Sequence, residues 1–421
     1  MRKLLVLIIA AMLGFAGSVN AQDVLPTLPG QIAFIGNDGN VYTLGDQGSG
    51  LVAITNDASS SRQYQWPTWS TDGRLAYFST RVDGDTLATD VYISNDGREP
   101  GEVTQTIADA AFTYAYWSPQ DCEIGCRDLG ILLSDTNAGL FTVQLLRDQL
   151  SDTTSMQLVG QGAPFYFSWS PDGKKMLLQR NNARLEIFHV ANDGITETLT
   201  EIPGMFQSPA WSPVDDRWLF GALTDELSTD IVIGSSAESR TLIPNLAGRL
   251  AFSWSPNGNF IAYTVDSGSL QVVDAQTGAL VSSSASNGIY SFFWSPDSTR
   301  IAYITLATPP GSLSAGNKSL AKAQLVVQQQ APSLSWSILN IETGRVRRYG
   351  AFTPTNEMIY LLSFFDQFAQ SHRLWSPDSR YLLYAERAVD GSPVLSLLDT
   401  AQADTVPLSI TQGVIGIWSY N

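Results

Sequence analysis

Residues able to perform acid–base or nucleophilic chemistry are few in this chain. Its 421 residues include two histidines, His189 and His372. A serine hydrolase needs a histidine beside an activated serine, and the sequence contains no Gly-x-Ser-x-Gly motif to mark one. His189 falls in the alternating segment Leu185–Val190, where a position on a sheet surface is expected. These observations disfavour nucleophilic catalysis.

The two cysteines, Cys122 and Cys126, are separated by three residues in a short polar stretch. A metal site is weakly supported, because two ligands with no nearby histidine do not complete a tetrahedral shell. A thioredoxin-like redox pair has two intervening residues rather than three. In an oxidising compartment this spacing favours a local disulfide. We therefore predict a Cys122–Cys126 disulfide and neither a metal nor another cofactor.

The charge balance is acidic: 24 basic residues face 40 acidic ones, for a formal net charge of −16. Binding to a phosphate backbone depends on Lys and Arg side chains that displace its counterions. With this deficit and no basic run, nucleic acid and anionic membrane surfaces are unfavourable partners. Scattered acidic residues chiefly promote solubility.

The first 21 residues have the three parts of a secretory signal. Met1-Arg2-Lys3 is positively charged, an apolar run extends from Leu4 to Gly17, and Val19-Asn20-Ala21 supplies a cleavage site. We predict a signal peptide over 1–21, a linker over 22–30 and a periplasmic or secreted mature chain. No later segment has the run of about 18 apolar residues typical of a span, so no membrane insertion is expected after cleavage.

The dipeptide Trp-Ser marks a repeat through the chain. Eight copies begin at Trp69, Trp117, Trp169, Trp211, Trp254, Trp294, Trp375 and Trp418. Most are 40 to 52 residues apart, a period typical of a four-stranded propeller blade. Five continue as Pro-Asp-Gly or a close variant such as Pro-Asn-Gly or Pro-Asp-Ser, in which Pro suits the second position of a tight turn and Gly its left-handed position. An apolar strand follows each turn, as in Phe260–Tyr263.

The two ends of the chain complete the predicted blade count. The segment 31–35 resembles a second strand with no Trp-Ser before it, whereas Val414–Trp418 resembles a first strand. We therefore predict an all-β fold over 31–421. It is a single eight-bladed β-propeller of four-stranded blades, closed by pairing of the C-terminal strand into the first blade. Trp336-Ser337 lacks the following turn and fits a third strand, so it does not define a ninth blade.

The Trp-Ser-Pro-Asp-Gly and Ile-Ala-Tyr segments resemble the TolB-type, WD-like β-propeller repeat, which also occurs in prolyl-oligopeptidase-like peptidases. The resemblance covers about residues 31–421 and implies the propeller fold. TolB itself carries an α/β domain ahead of a six-bladed propeller, and the peptidases carry an α/β-hydrolase domain. This sequence has a segment for neither domain, so the partners and active sites of those families are not transferred to it.

Two long insertions should lie on one face of the propeller. One, 305–333, joins the second and third strands of a blade, and the other, 352–374, leads into the next first strand. Long loops on a rigid scaffold are where binding residues concentrate. Aromatic residues that precede the Trp-Ser copies should line the same channel mouth. The predicted ligand-binding residues are Trp66, Tyr114, Tyr116, Tyr166, Tyr290, His372 and Arg373.

These features lead to a hypothesis of function with open alternatives. The favoured function is an exported, non-enzymatic and monomeric scaffold that binds a protein, peptide or glycan on one face. The first alternative is a lyase or glycosidase using channel carboxylates, which requires two Asp or Glu side chains to converge. The second alternative is a propeller that gates a peptidase.

Overall fold

The structure is a computed structural model that describes residues 26–421 except 46–49, 85, 123–125, 136–137, 150–153, 191–193, 195, 205–207, 225–227, 308–331 and 403–404. The predicted signal peptide, the first part of the linker and most of the 305–333 insertion lie outside the described residues. Neither of the two described helices has the length and apolar character needed to cross a membrane.

Among the described residues, antiparallel strands form eight sheets, seven of four strands and one of three. Blades one to four contain β31 (Ile415–Trp418) with β1 (Ile32–Ile35), β2 (Val41–Leu44) and β3 (Leu51–Ala53); β4 (Arg62–Trp69), β5 (Leu75–Asp83), β6 (Thr86–Ser94) and β7 (Glu102–Ala108); β8 (Ala110–Trp117), β9 (Cys126–Asp135), β10 (Phe141–Gln149) and β11 (Ser155–Gly162); and β12 (Phe165–Trp169), β13 (Lys175–Arg180), β14 (Arg184–His189) and β15 (Thr196–Thr198). Blades five to eight contain β16 (Ala210–Trp211), β17 (Arg217–Leu223), β18 (Ser228–Ser235) and β19 (Ser239–Ala247); β20 (Leu250–Trp254), β21 (Phe260–Val265), β22 (Gln271–Asp274) and β23 (Leu280–Ser283); β24 (Ile289–Trp294), β25 (Arg300–Leu306), β26 (Leu334–Asn340) and β27 (Val346–Phe352); and β28 (Tyr381–Arg387), β29 (Pro393–Asp399) and β30 (Leu408–Gln412).

Trp336 lies in β26, the third strand of blade seven, so the prediction that it does not define a ninth blade is confirmed.

The C-terminal strand closes the ring. β31 pairs with β1 in antiparallel register, with Ile32 opposite Trp418 and Ile35 opposite Ile415. The Ser419 N–H adds a hydrogen bond of 2.8 Å to the carbonyl of Gln31. All four residues of β31 are buried, so β31 serves as the inner strand of blade one. The predicted eight-bladed fold with this closure is confirmed.

The Ser and Asp of the repeat are explained by hydrogen bonds in the turn between the first two strands of a blade. In blade four, Ser170 Oγ donates to Asp172 Oδ1 at 2.6 Å and accepts the N–H of Lys175 at 2.9 Å. Blades six, seven and eight repeat both contacts, with Asn257 in place of the aspartate in blade six. The motif therefore stabilises a turn.

The repeated tryptophans join neighbouring blades. The indole N–H of Trp117 donates to the carbonyl of Thr68 in blade two at 3.0 Å, and that of Trp169 donates to the carbonyl of Tyr116 in blade three at 2.9 Å. In both cases the acceptor precedes the tryptophan of the preceding blade. The tryptophans of blades six and eight repeat the contact. Burial of each ring contributes up to about 5 kcal/mol by area, and the hydrogen bond sets where the ring packs.

Serine replaces the turn glycine in blades seven and eight. Ser298 and Ser379 have φ angles of 62° and 63°, a left-handed conformation that costs a non-glycine residue about 1–2 kcal/mol. The Ser298 hydroxyl accepts the N–H of Asn257, and the Ser379 hydroxyl accepts the N–H of Asp297, both at 3.0 Å. Each hydroxyl links its turn to the turn of the preceding blade, which offsets the conformational cost.

The two cysteines form the predicted disulfide. Cys122 and Cys126 are bonded in the loop between β8 and β9, with Cα atoms 5.5 Å apart. The neighbouring Arg127 donates to the carbonyl of Ser118 and to Thr71 Oγ1 of blade two, both at 2.8 Å. The disulfide therefore closes a loop that also holds blade three against blade two.

Blade eight departs from the four-strand pattern. Its inner strand is reduced to a bridge between Trp375 and Leu382. Two helices precede this bridge, α1 (Asn356–Ser363) and α2 (Phe365–Phe368). The residues just before the inner-strand position of blade eight therefore form helices at the channel and do not extend that strand.

Candidate ligand-binding groove

The 352–374 insertion folds into the helices α1 and α2, and we call its residues 354–372 the plug. Thr355 caps α1, since its hydroxyl accepts the N–H of Met358 at 3.2 Å. The helices bury an apolar set of side chains, which comprises Met358, Leu361, Leu362, Phe365 and Phe368. Apolar residues at helical spacing direct this side of the plug toward the blades.

The plug contacts all eight blades. Its hydrogen bonds to other blades join Thr355 to the Val414 carbonyl, Gln367 to the Tyr114 hydroxyl and the Phe167 carbonyl, Asp366 to the Ser208 N–H, and Ser363 to the Tyr290 hydroxyl. Ring contacts add Trp66 of blade two and Phe292 of blade seven. α2 lies against β20 of blade six, and α1 lies against β28 of blade eight. The plug therefore fills the channel mouth on its face of the propeller.

His372 is buried in a hydrogen-bond network at the end of the plug. Tyr114 Oη donates to the Gln367 carbonyl at 3.0 Å, Ser371 Oγ donates to Tyr114 Oη at 2.7 Å, and His372 Nδ1 lies 2.7 Å from Ser371 Oγ. The Thr68 hydroxyl, which lies 3.2 Å from His372 Nε2, donates to the Trp66 carbonyl at 3.0 Å. Burial lowers the pKa of His372 to about 3, so the imidazole is neutral.

This network does not activate a nucleophile. A general base must accept the proton of the attacking hydroxyl, whereas the Ser371 hydroxyl donates its proton to Tyr114. The adjacent serine and histidine therefore act as structural groups that hold the plug to blades two and three.

The described inner strands supply no pair of carboxylates to the channel walls. The inner strands β31, β4, β8, β12, β16, β20 and β24 contain neither Asp nor Glu in their described residues. One carboxylate, Asp366, enters from the plug. Burial raises its pKa, although the backbone N–H groups of Ser208 and Gln367 bond to it. A glycosidase requires two carboxylates about 5–9.5 Å apart, and these strands do not provide the second.

The residues predicted to bind ligand are divided between the plug contacts and the surface. Trp66, Tyr114 and His372 surround Phe368, with ring centroids 4.7, 5.2 and 4.9 Å from its centroid. Tyr290 is 43% exposed, and its hydroxyl lies 2.8 Å from Ser363 on α1. The structure thus brings three of the predicted residues together around the plug.

The other three predicted residues are half-buried and apart from that cluster. The Arg373 guanidinium lies 3.9 Å from the ring centroid of Tyr420. Tyr116 supplies a carbonyl to Trp169, and burial raises the pKa of its hydroxyl. Burial raises the pKa of Tyr166 to about 12. Ligand binding by any of the seven residues remains a prediction.

A polar groove of about 620 Å³ opens on the same face, between blades one and two. Its walls are the β1–β2 turn 36–39, the segment 58–66 that includes the first part of β4, and the start of α1. The polar side chains that line it are Asn37, Asp38, Ser59, Ser60, Arg62, Gln63, Gln65 and Glu357. Trp66 also lines the groove, so one predicted binding residue belongs to it.

Local hydrogen bonds keep the carboxylates near the groove ionised. Asp57 accepts from the Tyr64 hydroxyl at 2.7 Å and pairs with Arg62, and these contacts lower the pKa of Asp57. Burial acts to raise the pKa of Asp38, but hydrogen bonds led by the Tyr42 hydroxyl outweigh it and hold that pKa below its usual range. Both groups therefore act as hydrogen-bond acceptors at neutral pH.

The groove carries net negative charge. Its one guanidinium, Arg62, is compensated by Asp57. In the described part of the chain, neither Asp38 nor Glu357 has a basic partner within ion-pair distance. A positively charged ligand group would therefore be attracted to this wall.

Trp66 connects the groove to the plug. Its φ of +42° lies in the left-handed region that a bulky residue rarely adopts. The register of β4 against β5 shifts between Gln65 and Thr68, as expected of a bulge. The Trp66 ring lies 4.7 Å from Phe368 and 5.5 Å from Tyr360 between centroids. The bulge therefore turns the indole onto the plug.

Metal-ligating side chains group at one place among the described residues. Cys122, Cys126 and Asp128 have ligand atoms within 4.8 Å of one another. The two sulfurs are bonded to each other, and Asp128 pairs with Arg147 at 3.0 Å. A disulfide offers no thiolate to a metal, so this group is not suited to hold one.

Sequence reasoning missed most of the groove residues. It selected aromatic residues before the Trp-Ser copies, whereas the groove is lined by short polar loops such as Gly36-Asn37-Asp38-Gly39. The position of these loops within their blades was the signal that could have identified the groove residues. The β1–β2 turn and the loop into β4 belong to the same face as the two insertions, because strand direction alternates within a blade.

Comparison with known proteins gives only distant similarities. No family model matches the chain, and no curated protein matches it. Similar solved structures include TolB from Acinetobacter baumannii, at 16% identity and a TM-score of 0.39 over 82% of this chain and 83% of that chain. A eukaryotic initiation factor has 11% identity and a TM-score of 0.48 over 92% and 98% of the two chains. A prolyl endopeptidase structure has 11% identity and a TM-score of 0.48 over 89% and 55%.

The repeat in the sequence and the eight observed blades make the chain a β-propeller. At these identities the likeness to solved structures is one of fold. Function therefore has to be argued from the site.

Proposed function

We propose that this protein is an exported, non-enzymatic and monomeric scaffold that binds a ligand in the groove between blades one and two. The observation that carries the proposal is the groove itself, with about 620 Å³ and polar walls on the plugged face. A cavity of this size with several polar groups on a rigid frame is typical of a binding site. The plug supports the groove, since Glu357 belongs to α1 and Trp66 packs on α2.

The enzymatic alternatives are less well supported by the same residues. The described residues of the inner strands offer no carboxylate pair for a lyase or glycosidase, and the Ser371 hydroxyl beside His372 donates to Tyr114. A propeller that gates a peptidase needs a passage through its channel. The plug instead contacts every blade at one end of that channel.

Export is supported by the disulfide between Cys122 and Cys126. Disulfides form and persist in oxidising compartments, which suits the signal peptide proposed for residues 1–21. The mature chain would then act in the periplasm or outside the cell.

The test compares tryptophan substitutions at two exposed glutamines. Gln63 lines the groove, whereas Gln276 lies in the β22–β23 turn on the opposite face. Immobilised wild type, Q63W and Q276W proteins with matching thermal unfolding are incubated with an envelope extract. We expect some species of the extract to be retained by the wild type and Q276W. The amount retained by Q63W should be at least about tenfold lower, because the added ring fills the groove. Equal retention by Q63W, or no retention by the wild type, contradicts the proposal.

A further inference from the structure

The inner strand of blade two has a backbone edge that faces away from β5 and borders the groove. β4 pairs with β5 along one side, and the N–H and C=O of Arg62 bond instead to Ser59. Successive residues of an antiparallel strand direct their backbone groups to alternate sides. The Gln63 N–H and C=O therefore face β5, and those of Tyr64 face away from it.

A second hydrogen bond gives the same assignment. The Val82 N–H donates to the Ser61 carbonyl at 3.1 Å. In the β4–β5 ladder this places Arg62, and hence Tyr64, at positions that do not bond to β5. The hydrogen bonds of the described residues leave the Tyr64 N–H and C=O unpaired, and Tyr64 lines the groove.

The side chains beside this edge favour a basic ligand. Asp38 and Glu357 line the groove without a basic partner among the described residues, and Arg62 is committed to Asp57. The whole chain has a formal net charge of −16, which adds long-range attraction for a cation. Electrostatic complementarity of this kind directs which partners associate.

We infer that the ligand of the groove is an extended peptide with basic side chains, one residue of which pairs with Tyr64. The inference rests on the proposed function and specifies its ligand. The peptide N–H donates to the Tyr64 carbonyl, and the carbonyl of the same peptide residue accepts the Tyr64 N–H. This is strand addition at a sheet edge, in which main-chain bonds give affinity and flanking side chains give selectivity. Lysine or arginine side chains of the peptide lie against Asp38 and Glu357.

The probe is a random library of N-acetylated seven-residue peptides, selected in parallel on the wild type, Q63W and Q276W. We expect sequences that are enriched on the wild type and Q276W over Q63W, with Lys and Arg over-represented and Asp and Glu depleted. Enrichment of neutral or acidic peptides, or no groove-dependent enrichment, overturns the inference. A parallel panel of neutral oligosaccharides separates the two proposals. Groove-dependent binding of an oligosaccharide without peptide enrichment overturns the peptide inference and leaves the binding function standing.

The best selected peptide then tests the two contacts by fluorescence anisotropy. The double variant D38N/E357Q should weaken its binding at least about tenfold at low salt, whereas E238Q, an exposed change in the β18–β19 turn on the opposite face, should not. A scan of single N-methyl groups along the peptide should find one residue whose methylation weakens binding about tenfold while its two neighbours tolerate it. Uniform tolerance of N-methylation contradicts the pairing with Tyr64, and equal binding by D38N/E357Q contradicts the contacts with Asp38 and Glu357.

Discussion

Replacement of His372 by glutamine should remove one component of the acid sensitivity of the folded protein. His372 is buried and neutral, with a folded-state pKa of about 3 against an ordinary value of 6.5. In the unfolded chain the imidazole takes up a proton below pH 6.5, and in the folded chain it does not until about pH 3. The stabilisation from the neutral histidine is therefore present above pH 6.5 and is lost progressively as the pH falls from 6.5 toward 3.

The size of the effect follows from proton linkage. Each pH unit between the two pKa values changes the free energy of unfolding by about 1.4 kcal/mol for one proton. A descent from pH 7.5 to pH 4.5 should therefore remove about 2.5 kcal/mol of stability through His372 alone. The raised pKa of Asp366 acts with the opposite sign in this range, since burial favours its protonated form. Because Asp366 is present in both proteins, its contribution cancels in the difference.

The assay is urea unfolding of the wild type and H372Q at pH 7.5, 6.5, 5.5 and 4.5. We expect the free energy of unfolding of the wild type to fall more steeply, by about 1.4 kcal/mol per pH unit more than that of H372Q below pH 6.5. The comparison uses slopes, so a constant loss of stability in H372Q does not affect it. Parallel curves for the two proteins would refute the burial of a neutral histidine in the plug network.

Three further predictions concern the frame of the propeller. W117F should lower the free energy of unfolding by about 1 kcal/mol more than W418F in urea titrations, because the Trp117 indole N–H has a carbonyl acceptor and that of Trp418 has none among the described residues; equal losses would contradict the role of the bond between blades. S379A should be about 1 kcal/mol less stable than S379G, because both lose the hydroxyl acceptor and alanine alone keeps the left-handed strain; the reverse order in thermal unfolding would count against this explanation. Deletion of 414–421 should abolish cooperative thermal unfolding followed by circular dichroism, because blade one loses its buried inner strand; a retained sharp transition would contradict closure by β31.

The propeller could be predicted because its signal is repeated. Each Trp-Ser turn is a local structure, so one copy of the pattern constrains all others. The ring closure followed from counting strands at the two ends, and the register of β31 with β1 confirms it. Ser298 and Ser379 show the limit of the pattern. They occupy the left-handed turn position without glycine, because contacts to another blade offset the local cost.

The plug and the groove depend on contacts that a linear pattern does not encode. Gln367 bonds to residues 200 and 253 positions away in blades four and three, which no local periodicity predicts. His372 and Tyr114 were selected as ligand-binding candidates from their place in the chain, and the structure places both in buried contacts with the plug. Among the described residues, the backbone groups of Tyr64 are unpaired because alternate residues of β4 hydrogen-bond to β5. Which residues these are is known only once the strands have been paired.

The central claim is that ligand binds at the groove between blades one and two. Amide hydrogen exchange of the full protein, measured with and without the captured species or the best selected peptide, tests it most directly. We predict that binding slows exchange in 36–39 and 58–66, including the Tyr64 amide, which has no acceptor among the described residues of the free protein. Slowed exchange confined to the Trp-Ser turns of the opposite face, with no change at Tyr64, would contradict the claim.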